Sequence, residues 1–150
     1  MKALVYYGPK NVKVEEIPQP EINDDEILIK TRACSICATD VKTALYGHKL
    51  IRPPTVLGHE VAGEIIRKGR GVKELEVGDK VAVAPYAPCG ACYYCRAGRG
   101  ILCERLFEEV LVPGGLAEYI KVPKRLVEKV TIKLAEGVSF EEASLLEPLA

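Results

Sequence analysis

Four cysteines, Cys89, Cys92, Cys95 and Cys103, stand in the spacing C-x2-C-x2-C-x7-C. A chain that gathers four thiols in so short a stretch must wrap a tight lobe around them. Four thiolates there can close on one tetrahedral zinc with Zn–S bonds of about 2.3 Å. Gly90 and Gly98 let the loop turn sharply. Arg96, Arg99 and Arg105 stand where they help offset the negative charge of a tetrathiolate. Such a site has no open position, so its role is expected to be structural. Two disulfides and an iron–sulfur cluster are the other uses of four thiols. Disulfides belong to exported chains, and Met1 to Pro9 alternates like a strand without the zones of a signal peptide. The expected location is therefore the cytoplasm, where metal is the better reading of closely spaced cysteines.

Outside the cysteine lobe, glycine and proline punctuate short runs of alternating hydrophobicity. Lys2 to Tyr7, Val12 to Ile17, Glu26 to Arg32, Glu60 to Arg67, Lys80 to Val83 and Ala117 to Val122 read as strands. Thr39 to Tyr46 reads as a short helix. Ser139-Phe140-Glu141-Glu142 is a capping box that opens a second one, which Pro148 should end or kink. The expected fold is mainly β with short helices, a barrel or sandwich. No apolar run approaches the roughly 18 residues of a membrane span. The formal net charge is zero, which gives no reason to expect nucleic acid or an acidic membrane as partner. Charged residues make up 28% with a single Met and no Trp, a bias associated with thermophiles.

A second constellation is spread along the chain. Cys37-Ala38-Thr39-Asp40 follows a strand, and Gly58-His59-Glu60 follows a proline-rich turn. A thiolate, an imidazole and a carboxylate with one open position is the donor set of a catalytic zinc. Taken singly, a lone histidine or cysteine is as readily a packing residue. Cys34 and Cys37 also form a C-x-x-C, a possible redox pair, although a thioredoxin-like site calls for a βαβ context that this pattern lacks.

Together these segments resemble the zinc-containing medium-chain dehydrogenases, the family of alcohol, sorbitol and threonine dehydrogenases. The resemblance is carried by Gly58-His59-Glu60 with Gly63, Gly69 and Val72, by Ile36-Cys37-Ala38-Thr39-Asp40, and by the cysteine lobe with Gly98 and Leu102. Gly114-Gly115-Leu116-Ala117-Glu118-Tyr119 and Glu147-Pro148-Leu149-Ala150 carry it further. It implies a GroES-like barrel over residues 1–150, with the structural-zinc lobe at about 85–105 and the start of a linking helix at about 139–150. It implies Cys37 and His59 as ligands of a catalytic zinc, with Glu60 and Glu147 as further candidate ligands. Asp40 would orient a ligand imidazole or the loop, and Thr39 would bond the substrate hydroxyl and start a proton relay. Cys34 is left to buried packing.

The activity implied is oxidation of an alcohol, polyol or hydroxy-amino acid to a carbonyl, with two zinc ions and NAD or NADP, in a homo-oligomer. Glu60 and Glu147 lean toward polyols or threonine-like substrates. The alternative is a noncatalytic zinc-binding GroES-like module. One position departs from the family: many members carry a His five residues after the ligand Cys, on the relay route to solvent, and here that residue is Lys42, with His48 nearby but out of place. No G-x-G-x-x-G unit of a Rossmann half occurs; Gly69-Arg70-Gly71 leads into a polar turn. The expectation is a fragment that binds zinc but not NAD(P), is inactive alone, and tends to self-associate through apolar surface left exposed where the helix from Ser139 lacks its normal partners.

Overall fold

The computed structural model describes residues 1–149; Ala150, the end of the Glu147–Ala150 motif, lies outside the described residues. Two antiparallel sheets make the barrel. The smaller has the order β2 (Asn11–Glu16), β1 (Lys2–Gly8), β4 (Thr55–Val56). Alternation in β1 buries Ala3 and Val5 against Val56 and Ala117. The larger has the order β7 (Tyr119–Val122), β3 (Ile27–Ser35), β5 (Glu60–Lys68), β6 (Lys80–Val83), β8 (Thr131–Lys133). Residues 116–118 join the two sheets: the Leu4 N–H donates to the Leu116 carbonyl at 2.8 Å, and the Thr31 N–H to that of Glu118 at 3.0 Å. The mainly β, barrel-like expectation is met.

The main core lies inside the larger sheet, where Ile27, Ile29, Ile65, Val81, Ile120 and Leu126 are fully enclosed. The β3–β5 pair positions what matters for function. Its register shifts between Thr31 and Ala33, an irregularity that re-aims the end of β3. The pair then closes with Ser35 opposite Glu60. Because the strands are antiparallel, the residues just past the end of β3 and those at the start of β5 must meet. That places Cys37 beside His59 and Glu60, 22 and 23 residues away in sequence.

The helices are short: α1 (Ala38–Tyr46), α2 (Tyr93–Arg96), α3 (Lys124–Val130), α4 (Phe140–Ser144) and α5 (Leu146–Leu149). None among the described residues is long and apolar enough to cross a membrane. The capping box at Ser139 forms, with the Glu142 N–H donating to the Ser139 hydroxyl at 3.2 Å. The helix opened at Ser139 breaks at Leu145, just after Ser144, whose carbonyl is the one the Pro148 ring would crowd, so the expected kink is present. Pro148 itself sits in the first turn of α5, where a missing N–H costs nothing. The segment makes contacts of its own on the larger sheet. Ala143 packs on Ala62 and Ala82, and the Ser144 hydroxyl meets that of Ser35 at 2.7 Å. What remains outward is Leu145, Leu146 and Leu149.

Candidate metal centres

Cys37 is the N-cap of α1. Its thiol accepts the Thr39 N–H at 3.4 Å, while its own N–H donates to the Asp40 carboxylate at 3.0 Å. Asp40 is buried, and its other oxygen accepts the Gly58 N–H at 3.0 Å and faces His59 Nδ1 at 3.6 Å. One carboxylate therefore ties the start of α1 to the loop that carries His59 and leaves Nε2 as the free ring nitrogen. Gly58 needs its lack of a side chain: its φ is +89°, and a Cβ there would stand 2.7 Å from the Leu116 backbone nitrogen.

The donor atoms of Cys37, His59 and Glu60 lie within 4.8 Å of one another. Glu60 is 4% exposed, and among the described residues its carboxylate has neither a hydrogen-bond nor an ion-pair partner. A thiol, an imidazole and a carboxylate that converge in this way are a donor set that fits zinc. Glu147 stands half-buried on α5, which packs on β5, and is not one of the three gathered residues. Thr39 is half-buried in the first turn of α1, next to the Cys37 thiol.

The electrostatics agree. The hydrogen bond to Asp40 raises the His59 pKa to about 9, against the opposing effect of burial. Burial works against ionisation of Asp40, but hydrogen bonds from His59, Gly58 and Cys37 outweigh it and lower its pKa. Metal and proton compete for His59, so metal uptake releases a proton and weakens as pH falls. Cys34 behaves differently. Its thiol packs close to Gly58 and Gly115, and burial pushes its pKa up to about 12. A thiol held that way is a packing residue, and a redox pair with Cys37 loses its nucleophile.

In the lobe, all four sulfurs of Cys89, Cys92, Cys95 and Cys103 lie within 4.8 Å of one another. The Cys89–Cys95 and Cys92–Cys103 separations are both 3.9 Å. A disulfide would need about 2.05 Å, whereas the edge of a tetrahedron with bonds of about 2.3 Å is about 3.8 Å. The cage has the size of one zinc. The N–H groups of Ala91 and Cys92 both donate to Cys89 Sγ at 3.4 Å and bring its pKa down to about 6. The Cys89 and Arg105 N–H groups both donate to Cys103 Sγ at 3.3 Å. Arg105 thus meets a sulfur through its backbone, while its guanidinium pairs with Glu108 at 2.6 Å.

Helix α3, which the strand-oriented reading missed, holds the lobe to the barrel. Arg125 is buried; its Nη1 donates to the Arg105 carbonyl at 2.7 Å, and its Nη2 reaches Glu109 at 2.9 Å. Lys129 donates to the Pro88 carbonyl at 2.9 Å on the other root of the lobe. Pro123 ahead of Lys124-Arg125-Leu126-Val127 was the available signal for this helix. Replacing Arg125 by Met is expected to cost about 1.5–3 kcal/mol, the worth of hydrogen bonds to a charged group. Faster amide exchange across residues 88–109, with the barrel strands unchanged, is the expected pattern; uniform exchange would refute the anchoring role.

Fold and site together define a zinc-binding barrel domain with a closed four-sulfur lobe and an open Cys-His-Glu centre. Residues 23–132 match the alcohol dehydrogenase GroES-like domain, and the chain belongs to that family. It is 40% identical to the sorbitol dehydrogenase of Bombyx mori and 38% identical to that of Bacillus subtilis (strain 168), over 99% and 100% of its own length. It covers 43% of each of those relatives. Among solved structures it is similar to galactitol-1-phosphate dehydrogenase from Escherichia coli, with TM-score 0.87 and 31% identity, covering 99% of this chain and 42% of that one.

Proposed function

We propose that this domain is the zinc-bearing part of an oxidoreductase that converts a small alcohol or polyol to a carbonyl, with NAD or NADP bound by chain outside these 150 residues. The observation that supports it most directly is the convergence of the Cys37 thiol, the His59 ring and the Glu60 carboxylate within 4.8 Å of one another. Those three residues would hold the catalytic zinc, and Cys89, Cys92, Cys95 and Cys103 the structural one. When bound, the catalytic zinc supplies a Lewis acid for the alcohol oxygen, and the dinucleotide supplies the hydride acceptor.

The chain's own residues do the rest. Asp40 holds His59 by Nδ1 and fixes which ring nitrogen faces the centre. Thr39, whose backbone N–H meets the Cys37 thiol in the first turn of α1, would bond the substrate hydroxyl and pass its proton on. Polyols and hydroxy-amino acids are the favoured substrates, given relatives named sorbitol dehydrogenase and L-threonine 3-dehydrogenase. A cytoplasmic homo-oligomer is the setting we propose. The protein as its gene encodes it should contain two zinc ions per chain by elemental analysis and should oxidise a polyol with NAD+ or NADP+. Chelation should abolish turnover and zinc restore it. One zinc per chain, unchanged in Cys37→Ser, would show that the open centre does not form.

A further inference from the structure

Lys42 stands on α1 three residues beyond Thr39 and four before Tyr46. Helix positions three and four apart lie on one face, with about 5–6 Å between Cβ atoms. Thr39, Lys42 and Tyr46 therefore form a strip along one flank of the helix. Its inner end adjoins the metal centre, where the Thr39 N–H meets the Cys37 thiol. Its outer end is open: Lys42 is exposed, and Tyr46 is 78% exposed. Asp40 and Thr43 occupy the buried side of the same helix.

Charge beside this strip is one-sided. From Val41 to His59 the chain carries Lys42, Lys49 and Arg52 and not one aspartate or glutamate. Ion pairs do form elsewhere on the surface, as in Arg32 with Glu64, Lys124 with Asp25 and Lys133 with Asp79. Lys42, Lys49 and Arg52 are exposed and form no ion pair among the described residues. The acid nearest in sequence, Asp40, faces inward and is committed to Cys37, Gly58 and His59.

An ammonium offers three donors and no acceptor. Lys42 therefore cannot receive a proton from Thr39; it offers a point charge on a flexible stem, suited to phosphate. We propose that Lys42 binds a phosphate group of a molecule lying along the Thr39–Tyr46 strip, its reacting end at the Cys37-His59-Glu60 centre. This rests on the function proposed above. The phosphate has two possible sources: the pyrophosphate of the dinucleotide, or a phosphorylated polyol. In both, a hydroxyl or ring next to the centre is followed by a phosphate further out, the order in which Thr39 and Lys42 stand.

The test uses the zinc-loaded protein as its gene encodes it, with Lys42→Gln and Lys42→Arg. Calorimetry gives Kd for NAD+ and NADP+; steady-state assays give kcat and KM for sorbitol and for sorbitol 6-phosphate. Lys42→Gln should weaken the phosphate-bearing partner roughly tenfold or more, as expected for a hydrogen bond to a charged group. The loss should shrink at high salt, and Lys42→Arg should restore most of the binding. A raised dinucleotide Kd assigns the phosphate to the cofactor; a raised KM confined to the phosphate ester assigns it to the substrate. Values within twofold of wild type for both, or a raised KM for neutral sorbitol alone, would overturn the inference while leaving the proposed function intact. A wild-type protein without zinc-dependent turnover would overturn both.

Discussion

Cys92→Ser is expected to lower the melting temperature by about 10 °C, and by more than His59→Ala does. Loss of a structural metal belongs to the few mechanisms that cost about 4 kcal/mol or more. Each kcal/mol is worth about 2–4 °C for a chain of this size. The reason lies in what holds the lobe together. It has the four-residue α2, a single 3-10 turn at Gly100–Leu102, and exposed side chains at Tyr93, Ile101 and Leu102. With so little apolar burial of its own, the lobe depends on metal for its order, and metal-binding free energy there becomes folding free energy. The open centre is different: β3, β5 and the Asp40 hydrogen bonds hold its residues in place by contacts that do not involve a metal. Losing His59 should mainly empty that site. Melts of the two variants, loaded with equal zinc and run side by side, decide the matter; the reverse order would mean that the barrel leans on its catalytic metal more than on the lobe.

Much of this was readable in the residues. The spacing of the four cysteines anticipated a single-ion cage, and the S···S separations of 3.9 Å agree with it. The six expected strands all form, with ends displaced by a few residues; β3 runs on to Ser35 because a register shift carries it past Arg32. Two features were not legible in the local pattern, although the family resemblance implied the first. The convergence of Cys37 with His59 and Glu60 follows from which strands pair, and pairing is not a local property of either segment. Helix α3 opens on Lys124-Arg125, and its apolar positions are too few to announce a helical period. Its importance comes from Arg125 reaching residues 16 to 20 positions earlier.

Asp40→Ala should have the second large effect, because one buried carboxylate serves three partners. Its loss strands the Cys37 and Gly58 N–H groups and frees His59 to turn. Removing one member of a buried charged pair costs about 3–5 kcal/mol, and disturbing a residue that orients a metal ligand costs about 10–100-fold in metal affinity. In free-zinc buffers the variant should therefore hold one zinc where wild type holds two, since nothing in the lobe depends on Asp40. Titration of the metal-free protein by NMR offers an independent view. The His59 pKa, raised to about 9 chiefly by its hydrogen bond with Asp40, should fall back toward the ordinary histidine range of about 6.5. Asp40→Asn keeps an acceptor for one backbone N–H but removes the charge, so it should recover part of the stability and little of the His59 shift. If Asp40→Ala retains both zinc ions and leaves the histidine titration where it was, then Asp40 serves α1 alone. The imidazole would in that case be held by Cys37 and the backbone around Gly58.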